Sequence, residues 1–378
     1  MAPGIVAEHL PTLRYPSAFQ RLDYRTLKHM SARNTLFLVL AVTGVLSAKT
    51  APEVAANADA YIKAAGIQGS VLLAKGGKVI LAKGDGLANV ELDAANTPKT
   101  KFRLGSITKQ FTAAAILQLQ EKEKLRVGDP ISKYVPGSPA AWNAITIHHL
   151  LTHTSGIPSY TDEAGYQSHM RERAGAPLEF IKRFRDLPLE FTPGERFHYD
   201  NSGYFLQVSG VTYESYLQKN IFDPLGMTDT GYDWPTTILK DRASGYSKGA
   251  SGEEINAEFL DMGHPYAAGS LYSTVLDLYK WDRALYTTKI LRAQSLQSAF
   301  TPNEYDWAEG IKYGYGWGIA QEHGHKAVGH GGGINGFSTV IWRAIEEDAT
   351  SIVLSNNDYK SNIGKAGKEL LELLLNSN

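Results

Sequence analysis

The stretch Gly105-Ser106-Ile107-Thr108-Lys109-Gln110-Phe111 contains the only Ser-x-x-Lys pattern in this chain of 378 residues. Three residues make nearly one helical turn, so a helix here would place both side chains on one face, where the lysine amine can reach the serine oxygen. A serine hydroxyl becomes a good nucleophile only when a base takes its proton. The stretch therefore predicts an activated serine. The alternative is that Ser106 merely caps a helix.

The residues on either side of this stretch predict the sheet and helices around it. A helix from Ser106 to about Lys124 is apolar on nearly every side, which is typical of a buried central helix. A hairpin turning at Gly76-Gly77 precedes it, after a helix over Pro52–Ala65. The remaining predicted elements are strands at Tyr313–Ala320, Lys326–His330, Gly336–Trp342 and Ser351–Leu354 and an amphipathic helix at Ile363–Leu375.

The middle of the chain, from Asp129 to about Thr301, shows helical patterns separated by Pro- and Gly-rich loops. Strands at both ends with helices between them predict an α/β (α+β) fold. Its antiparallel sheet is built from amino- and carboxyl-terminal strands, flanked by helices, and it carries an all-α insertion. We expect one catalytic unit over residues 49–378, with a sheet subdomain at about 55–105 and 305–378 and a helical subdomain at about 106–304.

Composition excludes several classes of function. The chain has 38 basic and 39 acidic residues, and no basic stripe that could follow a phosphate backbone, so nucleic acid is not an expected partner. It has no cysteine, which excludes a thiol nucleophile, a disulfide framework and a thiolate metal site. Serine chemistry and metal chemistry both remain compatible with this composition, and it is the motifs described below that lead us to expect neither a metal nor a cofactor.

The first 48 residues resemble a leader. The apolar run Leu36–Leu46 follows Arg33 and precedes Ser47-Ala48, in the order of a secretory signal, and its proportions are ordinary only if Met30 is the true start. We therefore expect export to the periplasm or the extracellular space, with the mature chain beginning near Lys49. An uncleaved membrane anchor or a buried first helix is the alternative.

Two further motifs could complete a site around Ser106. Tyr199-Asp200-Asn201 offers a phenol, whose pKa an adjacent ammonium would lower, and an amide that can orient a substrate; a simple turn is the alternative. His330-Gly331-Gly332-Gly333 ends a predicted strand. Its three glycines leave the backbone without side chains, so a backbone N–H there could face a developing oxyanion. The glycines from 331 to 336 also match a dinucleotide-binding spacing, but a β-like segment follows them instead of a helix.

Together these motifs resemble the serine β-lactamase and penicillin-binding-protein superfamily. Because its middle motif contains tyrosine, the chain is most similar to one branch of this superfamily. That branch contains class C β-lactamases, low-molecular-weight D-alanyl-D-alanine peptidases and related esterases. Supporting stretches read like that branch over most of positions 55 to 375: Phe102–Ser106, Leu150–Gly156, Phe191–Gly194, Asp223–Met227 and Tyr315–Gly318. The resemblance implies a β-lactamase/transpeptidase-like fold.

The resemblance also implies the roles of individual residues. It makes Ser106 the acylated nucleophile and gives the role of general base jointly to Lys109 and Tyr199. The backbone N–H groups of Ser106 and Gly333 would form the oxyanion hole. The implied function is a serine hydrolase that cleaves amide or ester bonds through an acyl-enzyme.

Asn201 would bind the substrate amide, and His330 takes the place of a lysine that β-lactamases usually carry. With a reference pKa of about 6.5, a histidine would be only partly charged at neutral pH and would hold a substrate carboxylate weakly. This favours a D-Ala-D-Ala-type peptidase or a carboxylesterase over a class C-like β-lactamase. Besides His330, the chain differs from the pattern of this superfamily in the segment from Phe205 to Gly210. This segment is about two helical turns shorter than in relatives.

Three rival hypotheses follow from other residues. Ser155 lies near His148, His149 and His153, but no G-x-S-x-G elbow accompanies it, so we expect this stretch to be a structural loop. Zinc ligation by His323, His325 and His330 lacks a carboxylate at suitable spacing. The third rival is a penicillin-binding or peptidoglycan-binding sensor that is acylated without turnover.

The expected partner is therefore a small-molecule or peptide substrate: a peptidoglycan-like peptide, an ester or a β-lactam. We expect no nucleic acid, and membrane contact only through an uncleaved leader.

Overall fold

An eight-stranded antiparallel sheet forms the centre of the computed structural model, which describes residues 49–169, 171–205 and 212–377. The strands are β1 Gly69–Lys75, β2 Lys78–Asp85, β3 Leu87–Asn89, β4 Ala94–Ala95, β5 Phe102–Arg103, β6 Gly231–Tyr232, β7 Tyr246–Lys248, β8 Glu254–Asn256, β9 Leu271–Ser273, β10 Asp306–Ala308, β11 Ile311–Tyr313, β12 Gly318–Glu322, β13 His325–Ile334, β14 Phe337–Ala344 and β15 Ala349–Ser355. The predicted leader and most of the shortened segment, residues 206–210, lie outside the described residues.

The described α-helices are α1 Ala51–Ala64, α2 Thr108–Glu121, α3 Ile147–Leu151, α4 Tyr166–His169, α5 Pro177–Arg185, α6 Tyr213–Leu217, α7 Asp223–Leu225, α8 Tyr266–Gly269, α9 Val275–Ala284, α10 Ala293–Ala299 and α11 Ile363–Leu375. Short 3₁₀ turns join several of them, and one π-helical turn, Gln218–Phe222, lies between α6 and α7. Within this part of the chain no helix is both long and apolar enough to span a bilayer.

The amino-terminal and carboxyl-terminal strands meet inside the sheet, as the sequence predicts. The strand order is β10-β11-β12-β13-β14-β15-β1-β2, so the last strand in sequence pairs with the first. In that antiparallel pair Gly69 lies opposite Ser355. The predicted hairpin is confirmed, because β1 and β2 pair across Gly76 and Gly77, both of which have positive φ. This arrangement confirms the predicted fold class.

The sheet buries a different core on each face. On one face, α1 and α11 contribute apolar residues such as Val54, Ile62 and Leu370 to a cluster with Val353. On the other face, α2 lies in the larger cluster, and its residues Thr108–Leu119 are all buried. Burial on every side of α2 explains why this helix has no clear polar face. It also fixes the amino end of α2 beside the sheet.

Several elements differ from the sequence prediction. The segment from 129 to 301, expected to be all-α, contains the short strands β6, β7, β8 and β9, of two or three residues each. Strands this short show no recognisable alternation of apolar and polar residues. The strand predicted over 313–320 is two strands, β11 and β12, separated by a turn at 314–317, and β13 continues four residues past His330.

Candidate active site

The Ser106 hydroxyl and the Lys109 amine meet where α2 begins. Ser106 lies in a 3₁₀ turn, Gly105–Ile107, and is partly exposed, whereas Lys109 is fully buried in the first turn of α2. Lys109 Nζ is 3.0 Å from Ser106 Oγ. The α-helix begins after Ser106, at Thr108, so Ser106 does not act as its N-cap. The hydroxyl has a basic nitrogen within hydrogen-bond distance.

Two further acceptors fix the direction of the Lys109 amine. Nζ donates to Asn201 Oδ1 at 2.8 Å and to the backbone oxygen of Ala268 at 3.0 Å. A neutral amine has two N–H groups and one lone pair. When the two N–H groups face Asn201 and Ala268, the lone pair is left for the proton of Ser106.

Burial makes this neutral form accessible. Removal from water disfavours the ammonium and lowers the pKa of Lys109 to about 7, although the Asp200 carboxylate acts in the opposite direction. Lysine in water has a pKa of about 10.4 and is almost entirely charged at neutral pH. In this site a large share of Lys109 is uncharged and can act as a base.

Tyr199 lies beside the same two residues, but in a different protonation state from the one we expected. Lys109 Nζ is 4.9 Å from the centre of the Tyr199 ring, and the nearby Ser106 hydroxyl acts to lower the pKa of the phenol. Burial raises the pKa of Tyr199 and outweighs the effect of Ser106. The expectation of a lowered pKa is therefore wrong. Tyr199 remains a phenol that can pass a proton, and Lys109 is the group of this pair that can accept one at neutral pH.

Asn201 is held between Lys109 and the cleft. Its Nδ2 donates to Thr161 Oγ1 at 3.2 Å, and its backbone N–H donates to Ser159 Oγ at 3.1 Å. The alternative of a simple turn does not account for these contacts. The Asn201 amide thus connects the buried Lys109 amine to the cleft.

The glycine-rich strand β13 passes directly beside Ser106. Its pairing with β12 ends at Gly329, so beyond that residue it pairs only with β14. A side-chain carbon on Gly105 would lie 3.0 Å from both the backbone N and O of Gly333. The free edge of β13 therefore faces the Ser106 turn, which is where the Gly333 N–H would serve in an oxyanion hole.

Contacts at Gly332 explain why β13 has glycine at this position. A side-chain carbon at Gly332 would lie 2.0 Å from the backbone oxygen of Leu104, whereas one at Gly333 would meet nothing within 4 Å. Gly332 thus permits the close approach of β13 to the turn, while Gly333 faces open space.

His330 does not reach this open space. It is 1% exposed, and its Nδ1 donates to the backbone oxygen of Gly331 at 2.6 Å. Its Nε2 then accepts from the Tyr313 hydroxyl at 2.8 Å. Burial lowers the pKa of His330 to about 3, with Lys109 adding to the effect. The expectation of a partly charged imidazole that holds a carboxylate is corrected, because this ring is neutral and both nitrogens are engaged.

Ser106, Asn201 and Gly333 line one open cleft. Its walls include Tyr160, Tyr166, Leu260 and Ile334, and among the described lining residues there is no lysine, arginine or histidine. The sequence reasoning missed these walls because an isolated tyrosine or leucine carries no signal for a cleft. It also missed the Ala268 carbonyl, which any residue type could supply.

The rival histidine motifs have other partners. Ser155 is fully buried and its Oγ accepts from the Ile157 N–H at 3.1 Å, while His148 Nδ1 lies 2.8 Å from the Tyr315 hydroxyl. These contacts assign Ser155 and His148 to structural roles.

Comparison with known proteins agrees with this geometry. The profile of the family described as Beta-lactamase matches residues 54–375. The chain belongs to the Beta-lactamase family. A penicillin-binding protein of Bacillus subtilis (strain 168) is 31% identical to this family member over 333 residues, which are 80% of this chain and 72% of that protein.

Solved structures show the same relationship. The octameric penicillin-binding protein homologue from Pyrococcus abyssi is 32% identical, with a TM-score of 0.77, covering 86% of this chain and 77% of that one. A D-stereospecific amidohydrolase from Streptomyces sp. is 25% identical, with a TM-score of 0.71, covering 82% of this chain and 97% of that one. This Beta-lactamase family member is a serine hydrolase with a penicillin-binding-protein fold.

Proposed function

We propose that this serine hydrolase cleaves esters or amides whose leaving group carries no carboxylate, through an acyl-enzyme on Ser106. The observation that carries the proposal is the buried Lys109 amine, 3.0 Å from Ser106 Oγ with a pKa of about 7. A base whose pKa lies near the working pH combines a useful neutral fraction with a real affinity for the proton.

The first half-reaction forms the acyl-enzyme. Neutral Lys109 takes the proton of Ser106 as Oγ attacks the substrate carbonyl carbon, and the N–H groups of Ser106 and Gly333 receive the developing oxyanion. When the tetrahedral intermediate collapses, the bond from carbon to the leaving group breaks. The leaving amine or alcohol takes the proton back, with the Tyr199 phenol beside Ser106 as the relay.

The second half-reaction restores the enzyme. Water gives a proton to neutral Lys109 as it attacks the acyl carbonyl, and the proton returns to Ser106 Oγ as the ester bond breaks. The products are a carboxylic acid and free Ser106, so the same base serves both steps.

The electrostatics of the cleft support the limit on substrate charge. Its described walls provide no cation, and His330 is neutral and buried behind β13. A carboxylate that is buried without a cation loses its hydration and gains no ion pair to compensate for that loss. Peptides ending in D-Ala-D-Ala and β-lactams both carry a carboxylate beyond the scissile bond, so they become the alternatives. The Streptomyces relative, by its name an amidohydrolase, is compatible with an amide substrate.

The test begins with a fluorophosphonate probe, which carries no carboxylate. The wild type is expected to be labelled, with the label mapped to Ser106 by peptide mass spectrometry. S106A should not be labelled, whereas S251A, a variant of an exposed serine, should react like the wild type. An unlabelled wild type would refute the acyl-enzyme itself.

Substrate charge is then tested with a matched pair, an N-acyl-D-Ala-D-Ala peptide with a free carboxylate and its carboxamide, alongside a p-nitrophenyl ester. We expect kcat/KM to be about tenfold or more higher for the carboxamide, since only the carboxylate is desolvated without a partner. A preference for the free carboxylate would contradict the proposal. A single burst of p-nitrophenol, equal to the amount of enzyme and followed by no turnover, would favour a sensor.

A further inference from the structure

His153 is a buried histidine that the reaction described above does not use. It is fully buried in the loop after α3 and adopts a left-handed backbone with φ of 58°. Few residues other than glycine tolerate this conformation, although histidine, asparagine and aspartate do so more often than most. The turn brings the His153 carbonyl within 2.9 Å of the His198 N–H, which donates to it. The loop is thus anchored to the segment that carries Tyr199.

The His153 ring holds that segment a second time. Its Nδ1 lies 3.2 Å from the backbone N–H of Asp200. The same Nδ1 also lies 3.4 Å from Asp200 Oδ2, so this ring nitrogen contacts both the backbone and the carboxylate of Asp200. Burial lowers the pKa of His153 and outweighs the opposing effect of Asp200, in agreement with a neutral ring. The peptide between Tyr199 and Asp200 is therefore fixed by a ring nitrogen.

Aromatic side chains surround the rest of the ring. The centres of the His153 and Tyr199 rings are 4.2 Å apart, and Tyr313 and Tyr204 lie at 4.8 Å and 5.2 Å. In the described part of the chain Nε2 has no hydrogen-bond partner, although it is buried. A buried polar group left unpaired costs stability. Packing alone would be served at least as well by an apolar side chain.

We propose that His153 is a positioning residue for this active site. Its ring supports the face of Tyr199, and its Nδ1 fixes the peptide that joins Tyr199 to Asp200 and Asn201. Both contacts set where the Tyr199 hydroxyl lies beside Ser106, and the second also sets where Asn201 meets Lys109. This inference rests on the proposed function, because it concerns the same acylation of Ser106.

Two substitutions separate the contacts. H153N keeps an acceptor near the position of Nδ1 and tolerates a left-handed backbone, but it removes the ring. H153F keeps a ring but removes the acceptor. Misplacing a reacting group by about 1 Å can cost about 100-fold, so we expect the fluorophosphonate labelling rate to fall about tenfold in H153N and further in H153F.

A double-mutant cycle with Y199F distinguishes positioning from general stability. If His153 acts through Tyr199, H153N should change the labelling rate of Y199F by less than about twofold. H264N is the matched control, because His264 is also a buried histidine with an unpaired ring nitrogen. It should keep the wild-type rate. Rates are measured on the monodisperse folded fraction, and H153Q replaces H153N if the latter gives none.

Two results would overturn the proposal. One is a labelled wild type whose rate is unchanged in folded H153N and H153F. The other is a loss in H153N that is equally large in the Y199F background. Failure of the proposed function would appear differently, as a wild type that the probe does not label at all.

Discussion

Asn201 Oδ1 accepts a hydrogen bond from Lys109 Nζ at 2.8 Å, across 92 positions of the chain. The contact joins Lys109 to the cleft, and it adds no charge beside the Lys109 amine, since an amide is neutral. We expect N201D to place a carboxylate there and to raise the pKa of Lys109, because an adjacent opposite charge favours the ammonium by about 1 to 3 pKa units.

Less neutral amine would then be present at neutral pH, so the labelling rate of N201D at about pH 7 should fall about fivefold or more and recover as the pH rises. The measurement is the rate of fluorophosphonate labelling of N201D and the wild type over a series of pH values. N362D is the matched control, because Asn362 caps α11 and aspartate caps equally well. A loss of rate in N201D that is the same at every pH would count against the electrostatic explanation.

The close approach of β13 to the Ser106 turn gives a second prediction. In G332A the added carbon would lie 2.0 Å from the Leu104 backbone oxygen, so the strand must move away from the turn. We expect the labelling rate to fall about 100-fold, the usual cost of losing an oxyanion donor. G128A is the control, since a side-chain carbon there meets nothing within 4 Å. A G332A enzyme with the wild-type rate would show that β13 does not shape the site.

The absence of a cation among the described cleft walls gives a third prediction. I334K would add an ammonium to the lining of the cleft. The ratio of kcat/KM for the carboxylate peptide to that for its carboxamide should rise about tenfold, because the new charge pairs with the substrate. I238K, at a residue that is 96% exposed, should leave the ratio unchanged. An unaltered ratio in I334K would mean that charge in the cleft does not set the preference.

Export gives a fourth prediction, which we propose from the sequence of the leader. The amino terminus of the exported protein, determined by Edman sequencing, should lie near Lys49. Cleavage there would preserve the cap of α1, where the Thr50 N–H donates to Glu53 Oε2 at 2.7 Å. Recovery of chain that begins at Met1 from the cytoplasm would contradict export.

The sequence predicts which residues lie together more reliably than it predicts their protonation states. Ser106, Lys109, Tyr199 and Asn201 were each marked by a short motif, and the structure brings them together. Their pKa values depend on burial, which belongs to the whole fold. The raised pKa of Tyr199 was therefore not visible in the motif.

The sequence predicts those parts of the fold that depend on local signals, and it misses those that depend on pairing between strands. The β1–β2 hairpin and α11 were predicted because turn glycines and helical periodicity are local signals. The extension of β13 through Gly331–Ile334 was missed, since glycine has a low strand propensity and only pairing with β14 stabilises it there. The neutral state of His330 likewise depends on burial, which its motif does not show.

Activation of Ser106 by neutral Lys109 is tested most sharply by the pH dependence of one quantity. This quantity is the second-order rate constant for labelling Ser106 with a neutral fluorophosphonate. The reactive form contains neutral Lys109, so the rate should rise about tenfold per pH unit at low pH and level off above about 7. His330, with a pKa of about 3, and Tyr199, with a raised pKa, should not titrate between about pH 5 and 9. A midpoint near 10, as for lysine in water, or a rate independent of pH would contradict activation of Ser106 by a buried Lys109.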